Sequence, residues 1–337
     1  MSNKLLTVTV PCYNSEAYLH KCIDSLLPGG DCLEIIIIND GSSDRTGEIA
    51  DAYVAKYPDI VRVVHQENGG HGEGINQGLR NASGTYFKVV DSDDWVDLAS
   101  LHAVINFLKA NTVDLLVTNY VYEHENPKDN STIRYANVFP NGKVIGWEQT
   151  RHFFTSQYLT LHSCIFRTEI LRKSGMVLPK HTFYEDNLFV YTPLPLVKRL
   201  AYLNVDFYRY LIGREGQSVS EAIMTKRCDH QIRVSEAIFA AHDLHIIKRT
   251  NPKLAKYMYH EATFMMIIAT VFTRLNRTPE TERMNREMWE NAFRINPKMA
   301  SKMRYRSKAL FLNFPGKLGN QICCGLYRAA HSIVQLN

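Results

Sequence analysis

The chain has 337 residues, of which 45% are hydrophobic, so it is long enough to bury a sizeable core and to form more than one small domain. Basic residues exceed acidic ones by five, but the first hundred residues are acid-rich and the segment 298–328 is basic. Seven cysteines without a Cys-x-x-Cys spacing favour reduced thiols over a disulfide framework. The opening residues hold no signal-peptide core, and no apolar run reaches the roughly 20 residues of a spanning helix, so we expect a cytoplasmic protein.

The first 110 residues alternate apolar strands with amphipathic helices. A strand over 5–10 ends at Pro11, because proline has no N–H to continue a ladder, and Ser15 is expected to cap a helix that runs to about Leu27. The strands that follow are predicted at 35–38, 61–65 and 86–90, and the helices at 45–56, 75–80 and 98–110. This repeat predicts an α/β fold with a Rossmann-like, mostly parallel central sheet flanked by helices.

The pattern changes after residue 114. Strands are predicted at 115–120 and 201–210, with a helix near 147–155 between them. From there to the C-terminus the composition is helical, and the predicted helices cover 221–245, 252–275, 279–293 and 297–312. We therefore predict an α/β region over 1–215, with halves 1–115 and 116–215, and a C-terminal helical region over 216–337.

Polar residues follow each of the first four strands, and open parallel sheets form their ligand crevice at the carboxyl ends of the strands. Asp91 and Asp93 follow the fourth strand, and residues two apart in an extended chain point to the same side. Two such carboxylates suit a hard divalent cation, Mg²⁺ or Mn²⁺. The alternative is a solvated acidic turn that caps the next helix.

The turns after the second and third strands leave two interpretations open. Asp40 can accept hydrogen bonds from a nucleobase or ribose, or it can belong to an ordinary helix-capping turn. Glycines crowd the turn after the third strand, either for close approach of a ligand or for positive φ; they are Gly69, Gly70, Gly72 and Gly74. The histidines lack zinc spacing, and His71 is the one that lies in the predicted crevice.

Four ordered motifs carry a resemblance to a known family. They are Pro11-Cys12-Tyr13-Asn14, Asn39-Asp40-Gly41-Ser42-Ser43-Asp44, Asn68-Gly69-Gly70 and Asp91-Ser92-Asp93-Asp94. In order and spacing they resemble the signature of family 2 glycosyltransferases with the GT-A fold, over roughly the first 115 residues. The resemblance implies a nucleotide-sugar donor, usually linked to UDP, and inversion at the anomeric carbon.

The resemblance also implies roles for individual residues. The nucleotide-sugar would be bound by Pro11, Tyr13, Asn14, Asp40, Asn68, Gly70, Asp91, Ser92 and Arg209. Within that set Asp91 contacts the ribose or the sugar, whereas Asp93 is the metal ligand, for Mn²⁺ or Mg²⁺, and Asp94 is expected to be structural. Arg209 lies in a segment that, together with 217–220, resembles a loop closing over the diphosphate.

The second half of the family commonly holds a Glu-Asp pair, and Glu185 and Asp186 are similar to it. An acceptor hydroxyl is a poor nucleophile, so inverting transfer needs a carboxylate as general base on the face opposite the leaving group. We predict Asp186 as that base, with Glu185 as its catalytic neighbour. Arg209 or Arg214 would help the metal to stabilise the departing diphosphate. An exposed acidic turn is the alternative.

The basic C-terminal segment precedes apolar residues 309–312, which fits an interfacial helix on anionic lipid at the inner face of the plasma membrane. A packed bundle with a solvated basic face is the alternative. By family analogy we predict a hexosyltransferase that uses a UDP-sugar donor and a glycan or lipid-linked saccharide acceptor in bacterial-type cell-surface polysaccharide synthesis. A catalytically inactive nucleotide-sugar-binding or membrane-surface scaffold is the other candidate. Nucleic acid is not an expected partner, because clustered aromatic residues are lacking.

Overall fold

A computed structural model of the chain describes residues 4–213, 221–307, 309–312, 319–323, 325 and 327. The chain divides into two compact units, Met1–Ile212 and Gly213–Asn337. The first unit is an α/β structure, and the described part of the second unit is helical.

One mixed β-sheet forms the centre of the first unit. Its strands in the described residues are β1 (Leu6–Cys12), β2 (Leu33–Asp40), β3 (Val61–Gln66), β4 (Tyr86–Val89), β5 (Trp95–Val96), β6 (Leu115–Glu123), β7 (Ser131–Ile133), β8 (Val144–Ile145), β9 (Cys164–Arg167) and β10 (Leu200–Leu211). The main path runs β3-β2-β1-β4-β9-β6-β10-β5, with β7 beside β6 and β8 beside β10. The first four strands pair in parallel, as do β6 and β10, whereas β9 runs antiparallel between β4 and β6.

Helices pack on this sheet, which confirms the predicted α/β class. They are α1 (Leu19–Leu26), α2 (Thr46–Lys56), α3 (His71–Asn81), α4 (Leu98–Ala110), α5 (Thr168–Lys173) and α6 (Asp186–Tyr191). Every residue of β1 and β2 is buried, as expected for strands covered on both faces. In the register of the parallel strands, Cys12 is paired with Asn39 and Asp40 with Gln66, so the turns that follow these strands meet at one edge of the sheet.

Some local expectations were wrong. The first strand does not end at Pro11, because β1 stays paired with β2 as far as Cys12. The helix near 147–155 is a single 3₁₀ turn, Trp147–Gln149, because the buried Trp147 indole donates to the Val197 carbonyl at 3.0 Å and the chain becomes extended at Thr150. Ser15 does not cap α1 with its side chain. Its hydroxyl instead lies 2.7 Å from the Ser92 hydroxyl, which links the turn after β1 to the turn after β4.

The described part of the second unit consists of helices. They are α7 (Glu221–Lys226), α8 (Cys228–Ala241), α9 (Leu244–Thr250), α10 (Pro252–Asn276), α11 (Pro279–Ile295), α12 (Pro297–Tyr305) and α13 (Ala309–Leu312). The helices predicted over 221–245 and 297–312 are thus each broken into shorter pieces. A proline in the first turn begins α10, α11 and α12, where its missing N–H costs no hydrogen bond. Within the described residues, no helix combines the length and the apolar character that a membrane span requires.

Two basic residues of the C-terminal segment pack within their own unit. The Arg304 guanidinium lies 5.4 Å from the ring centre of Trp289, and the Lys302 ammonium lies 4.3 Å from that of Tyr259. Such cation–π contacts are those of a packed bundle. Lys308, Lys317 and Arg328, which belong to the same predicted basic face, lie outside the described residues.

Candidate active site

The turn after β2 is tied to the turn after β3 by the carboxylate of Asp40. This side chain is buried and accepts hydrogen bonds from the backbone N–H groups of Gly69 and Gly70, at 2.8 Å each, and from the Gln66 amide at 2.6 Å. Backbone donors of this kind hold a carboxylate in one orientation. Asp40 therefore fixes the glycine turn, and its role toward a nucleoside stays a prediction.

The glycine cluster allows a second chain segment to approach closely. Gly70 has φ +84°, and a Cβ there would lie 2.9 Å from the backbone nitrogen of His181. A Cβ on Gly72 would lie 2.9 Å from Cγ of Glu185. The His181 N–H donates to the Gly69 carbonyl at 2.9 Å. Both predicted reasons for glycine therefore apply in this turn: a positive φ and the close approach of another segment. That segment belongs to this chain and contains His181 and Glu185.

The residues predicted to hold the nucleoside lie around the turn after β1. Tyr13 is 57% exposed, so its ring offers an aromatic face to solvent, whereas Pro11 is buried within β1. Asn14 has φ +50°, and its side-chain oxygen accepts from the backbone N–H of Ser43 at 2.9 Å. Asn68 donates to the Asp40 carbonyl at 3.0 Å. The turns after β1, β2 and β3 thus form one hydrogen-bonded rim.

The acidic residues after β4 lie in a tight turn and not in the extended chain that the sequence suggested. The Asp94 N–H donates to the Asp91 carbonyl at 3.0 Å. Asp94 is fully buried, and its carboxylate accepts from the Tyr208 hydroxyl at 2.6 Å and from the Leu211 N–H at 2.9 Å. Burial, and then the charges of Asp93 and Asp91, raise the pKa of Asp94 well above its ordinary value. Asp94 therefore ties the turn to β10 through both of its carboxylate oxygens, and the purely structural role expected for it stays a prediction.

His71, the first residue of α3, joins two carboxylates of the crevice. Its Nδ1 lies 2.8 Å from Glu185 Oε1 and its Nε2 lies 2.8 Å from Asp91 Oδ1. Partial burial alone would lower the pKa of His71, but the Asp91 charge and the hydrogen bonds to both carboxylates raise it well above 6.5. For Asp91 the effect of burial is likewise outweighed, and His71 lowers the pKa of this carboxyl to about 2. The bridge is thus an imidazolium between two carboxylates.

A second histidine, His162, faces the same acidic turn. Ligand atoms of Asp91, Asp94 and His162 lie within 4.8 Å of one another, and His162 Nε2 is 3.9 Å from Asp91 Oδ2. The imidazole stacks on Tyr210 with a centroid distance of 4.6 Å. Burial lowers the pKa of His162 to about 4, so the ring is neutral and keeps a lone pair for a cation. Two carboxylates and an imidazole fit a transition-metal ion such as Mn²⁺ better than Mg²⁺, which prefers oxygen alone.

Asp93, the metal ligand implied by the sequence motif, is half-buried beside this group and is not one of its members. Its role as a ligand stays a prediction. Ser92 is buried, and its hydroxyl faces Ser15. Arg209 pairs with Glu123 at 2.8 Å and with Asp97 at 3.5 Å. Its predicted contact with a diphosphate stays a prediction, and Arg214 and the segment 217–220 lie outside the described residues.

Lys88 holds the loop that carries His162. This lysine is fully buried in β4, and its ammonium donates to the carbonyl oxygens of Leu161 at 2.7 Å, His162 at 2.6 Å and Cys164 at 3.4 Å. Burial lowers the pKa of Lys88 to about 7. Sequence reasoning missed both Lys88 and His162. A lone lysine inside an apolar strand was the available signal for the first, whereas no motif marked the second.

The predicted catalytic pair lies at the start of α6. Glu185 is buried with 2% exposure, which excludes an exposed acidic turn, and Asp186 is half-buried. The Asn187 side-chain amide donates to the Asp186 carboxylate at 3.2 Å. Burial, and then the Glu185 charge, raise the pKa of Asp186 to about 7. A carboxyl group with this pKa can take up a proton near neutral pH, as a general base must.

Known structures resemble this fold over nearly the whole chain. The crystal structure of Staphylococcus aureus TarS 1–349 in complex with UDP-GlcNAc has a TM-score of 0.67 at 19% identity, and the match covers 96% of this chain and 92% of that one. The mannosyltransferase PcManGT from Pyrobaculum calidifontis, in complex with GDP-Man and Mn²⁺, has a TM-score of 0.53 at 16% identity, covering 98% of this chain and 87% of that one. The fold of this chain is therefore of the GT-A type.

The family follows from the sequence comparisons. Residues 7–174 match the family model for glycosyl transferase family 2, and this chain belongs to that family. The uncharacterized glycosyltransferase EpsJ of Bacillus subtilis is 29% identical over 76% of this chain and 70% of its own length. The poly(ribitol-phosphate) beta-glucosyltransferase of Bacillus spizizenii is 28% identical, over 64% of this chain and 34% of its own length. Family membership supports glycosyltransferase activity for this chain.

Proposed function

We propose that this protein transfers a hexose-type sugar from a UDP-sugar to a glycan or lipid-linked saccharide acceptor, with inversion at the anomeric carbon. One observation carries the proposal: a single crevice holds both the acidic turn after β4 and the Glu185–Asp186 pair, because His71 bridges Asp91 and Glu185 at 2.8 Å on each side. A donor-side acid cluster and an acceptor-side base are the two parts that inverting transfer requires.

The base of this reaction is Asp186. In the reacting complex its carboxylate takes the proton of the acceptor hydroxyl while that oxygen attacks the anomeric carbon from the face opposite the leaving group. The bond between the anomeric carbon and the diphosphate oxygen breaks, and its electron pair leaves with the diphosphate. The raised pKa of Asp186, about 7, makes its carboxylate a stronger base than an ordinary aspartate.

Asp91, Asp94 and His162 would hold the divalent cation, Mn²⁺ or Mg²⁺, with Asp93 as a further predicted ligand. A bound cation supplies charge stabilisation for the departing diphosphate. Asp91 presents Oδ1 to His71 and Oδ2 toward His162, so its two oxygens have separate tasks. Lys88 keeps His162 in position through the loop carbonyls.

The donor and acceptor classes come from the relatives and the sequence. UDP-GlcNAc is bound in the TarS structure and GDP-Man in the PcManGT structure, so nucleotide-sugars are the donor class of the structural neighbours. Teichoic acid biosynthesis appears in the name of the B. subtilis relative GgaB, which is 22% identical over 82% of this chain and 30% of its own length. We propose a surface glycan or its lipid carrier as acceptor, and action at the inner face of the plasma membrane.

A donor panel tests the proposal. The purified protein is incubated with UDP-, GDP- and TDP-sugars and Mn²⁺, and release of the nucleoside diphosphate is followed with and without a chelator. We expect release from a UDP-sugar that the chelator abolishes. If no donor is turned over or bound in the presence of Mn²⁺, the enzyme proposal fails and the nucleotide-sugar-binding or membrane-surface scaffold is the better description.

A further inference from the structure

His71 has no role in the mechanism so far, although it contacts both halves of the crevice. Its ring is 38% exposed, so it faces the open crevice and is not a core residue. Both ring nitrogens are used: Nδ1 by Glu185 and Nε2 by Asp91. Both partners are close to residues with proposed roles. Glu185 directly precedes Asp186, the proposed base. Asp91 belongs to the candidate cation group, which consists of Asp91, Asp94 and His162.

The turn that precedes His71 fixes the position of its imidazole ring. Gly70 has φ +84° and ψ 169°, a backbone conformation that is essentially restricted to glycine, and it fixes where α3 begins. Two hydrogen bonds hold this turn on both sides. The Gly70 N–H donates to the Asp40 carboxylate, and the His181 N–H donates to the Gly69 carbonyl. Gly72 leaves room for Glu185, whose Cγ would lie 2.9 Å from a Cβ there. The imidazole is thus presented to both carboxylates by a rigid turn.

The geometry points to His71 as a positioning residue that divides its two hydrogen bonds between two functions. The Nδ1 bond holds Glu185, and through the start of α6 it sets the place of Asp186 for proton removal. The Nε2 bond holds Asp91 Oδ1, so that Oδ2 stays turned toward His162 and the candidate cation group. Hydrogen bonds that orient ligand and catalytic groups in this way commonly change affinity or rate by 10- to 100-fold.

Side-chain amides can separate the two bonds. An asparagine amide nitrogen can occupy the place of Nδ1, and a glutamine amide nitrogen can occupy the place of Nε2. His71→Asn therefore keeps the Glu185 contact and loses the Asp91 contact, whereas His71→Gln does the reverse. His71→Ala loses both. The three variants form a matched set at one position, and their melting temperatures report whether each one folds.

The test rests on the proposed function and measures two quantities for each variant. One is the rate of UDP release from UDP-GlcNAc with Mn²⁺ at saturating donor, with water as acceptor. The other is the affinity for Mn²⁺ and UDP, measured by calorimetry without turnover. We expect His71→Asn to keep its rate and to lose about 10-fold in affinity, and His71→Gln to keep its affinity and to lose about 10-fold in rate. His71→Ala should lose both.

The outcomes distinguish this inference from the function on which it rests. If the wild-type protein turns over a donor and the folded Asn and Gln variants lose rate and affinity in parallel, or lose neither, the division of labour at His71 is overturned while the proposed function stands. If the wild-type protein neither binds nor turns over any donor in the panel, the proposed function is wrong, and the role inferred for His71 is wrong as well.

Discussion

Two parts of the first unit build the same crevice in different ways. The turns after β1, β2, β3 and β4 are neighbours because parallel strands end at one edge of the sheet. The segment 160–187 contributes only β9 to the sheet, and the residues on either side of β9 reach the crevice through individual contacts: Lys88 with the loop of His162, His71 with Glu185, and His181 with Gly69. The turns of the first part are held by the ends of paired strands, whereas the residues beside β9 are held at the crevice by individual hydrogen bonds. Single substitutions should therefore affect function most strongly where the second part meets the first.

The largest expected effect is at Asp186. Asp186→Asn removes the proposed base without changing the size of the side chain, so turnover should fall by about 10³-fold, within the range that general bases contribute. Nucleotide affinity should stay nearly unchanged. In the wild-type protein the rate should rise with pH through about 7, because the carboxylate must lose its proton before it can accept one from the acceptor. Rates from pH 5 to 9 and calorimetric binding of UDP check both points.

Unchanged turnover in the folded Asp186→Asn variant would assign the base to another residue. The folding stability of the two proteins gives an independent check. The pKa of Asp186 is raised in the folded state, so its contribution to stability is complete below about pH 4 and is lost as the pH rises through about 7. The Asn variant should lack this loss when urea unfolding is compared across that window.

The next effect is on the glycine turn, where the two parts touch. Gly70→Ala places a Cβ 2.9 Å from the His181 nitrogen at φ +84°, whereas Gly142→Ala at φ +70° places it in open space. The free energy of unfolding should fall by about 3 kcal/mol in the first variant and by about 1 kcal/mol in the second. Urea denaturation measures both. Equal losses would mean that backbone conformation alone, and not the approach of the second segment, requires glycine at position 70.

The smallest expected effect is on cation affinity. His162→Phe keeps an aromatic ring to stack on Tyr210 but removes the lone pair, so Mn²⁺ affinity should fall by at least about 10-fold. His102→Phe is the matched control, because His102 is exposed on α4. Calorimetric or paramagnetic titration with Mn²⁺ compares the two variants. If both bind Mn²⁺ as the wild-type protein does, His162 is not part of the cation site.

The same contrast explains what the sequence could predict. The alternation of strands and helices was sufficient to predict the α/β fold. It also predicted that Asp40, Gly70 and Asp91 lie at one edge of the sheet, because the carboxyl ends of parallel strands lie at the same edge. The contact of His71 with Glu185 joins residues 114 positions apart, and that of Lys88 with the His162 carbonyl joins residues 74 apart, so no local pattern encodes them. The prediction of a helix near 147–155 was wrong for a related reason, because burial of Trp147 against Val197 overrides local helical propensity.

We expect both parts of the crevice to bind the same cation and the same nucleotide. A crystal structure of the protein with UDP and Mn²⁺, with anomalous data collected at the manganese edge, tests it directly. The account predicts an anomalous peak within ligand distance of Asp91 and His162, with Glu185 still hydrogen-bonded to His71. A peak held by Asp93 away from His162, or bound UDP with no peak beside the acidic turn, would contradict it.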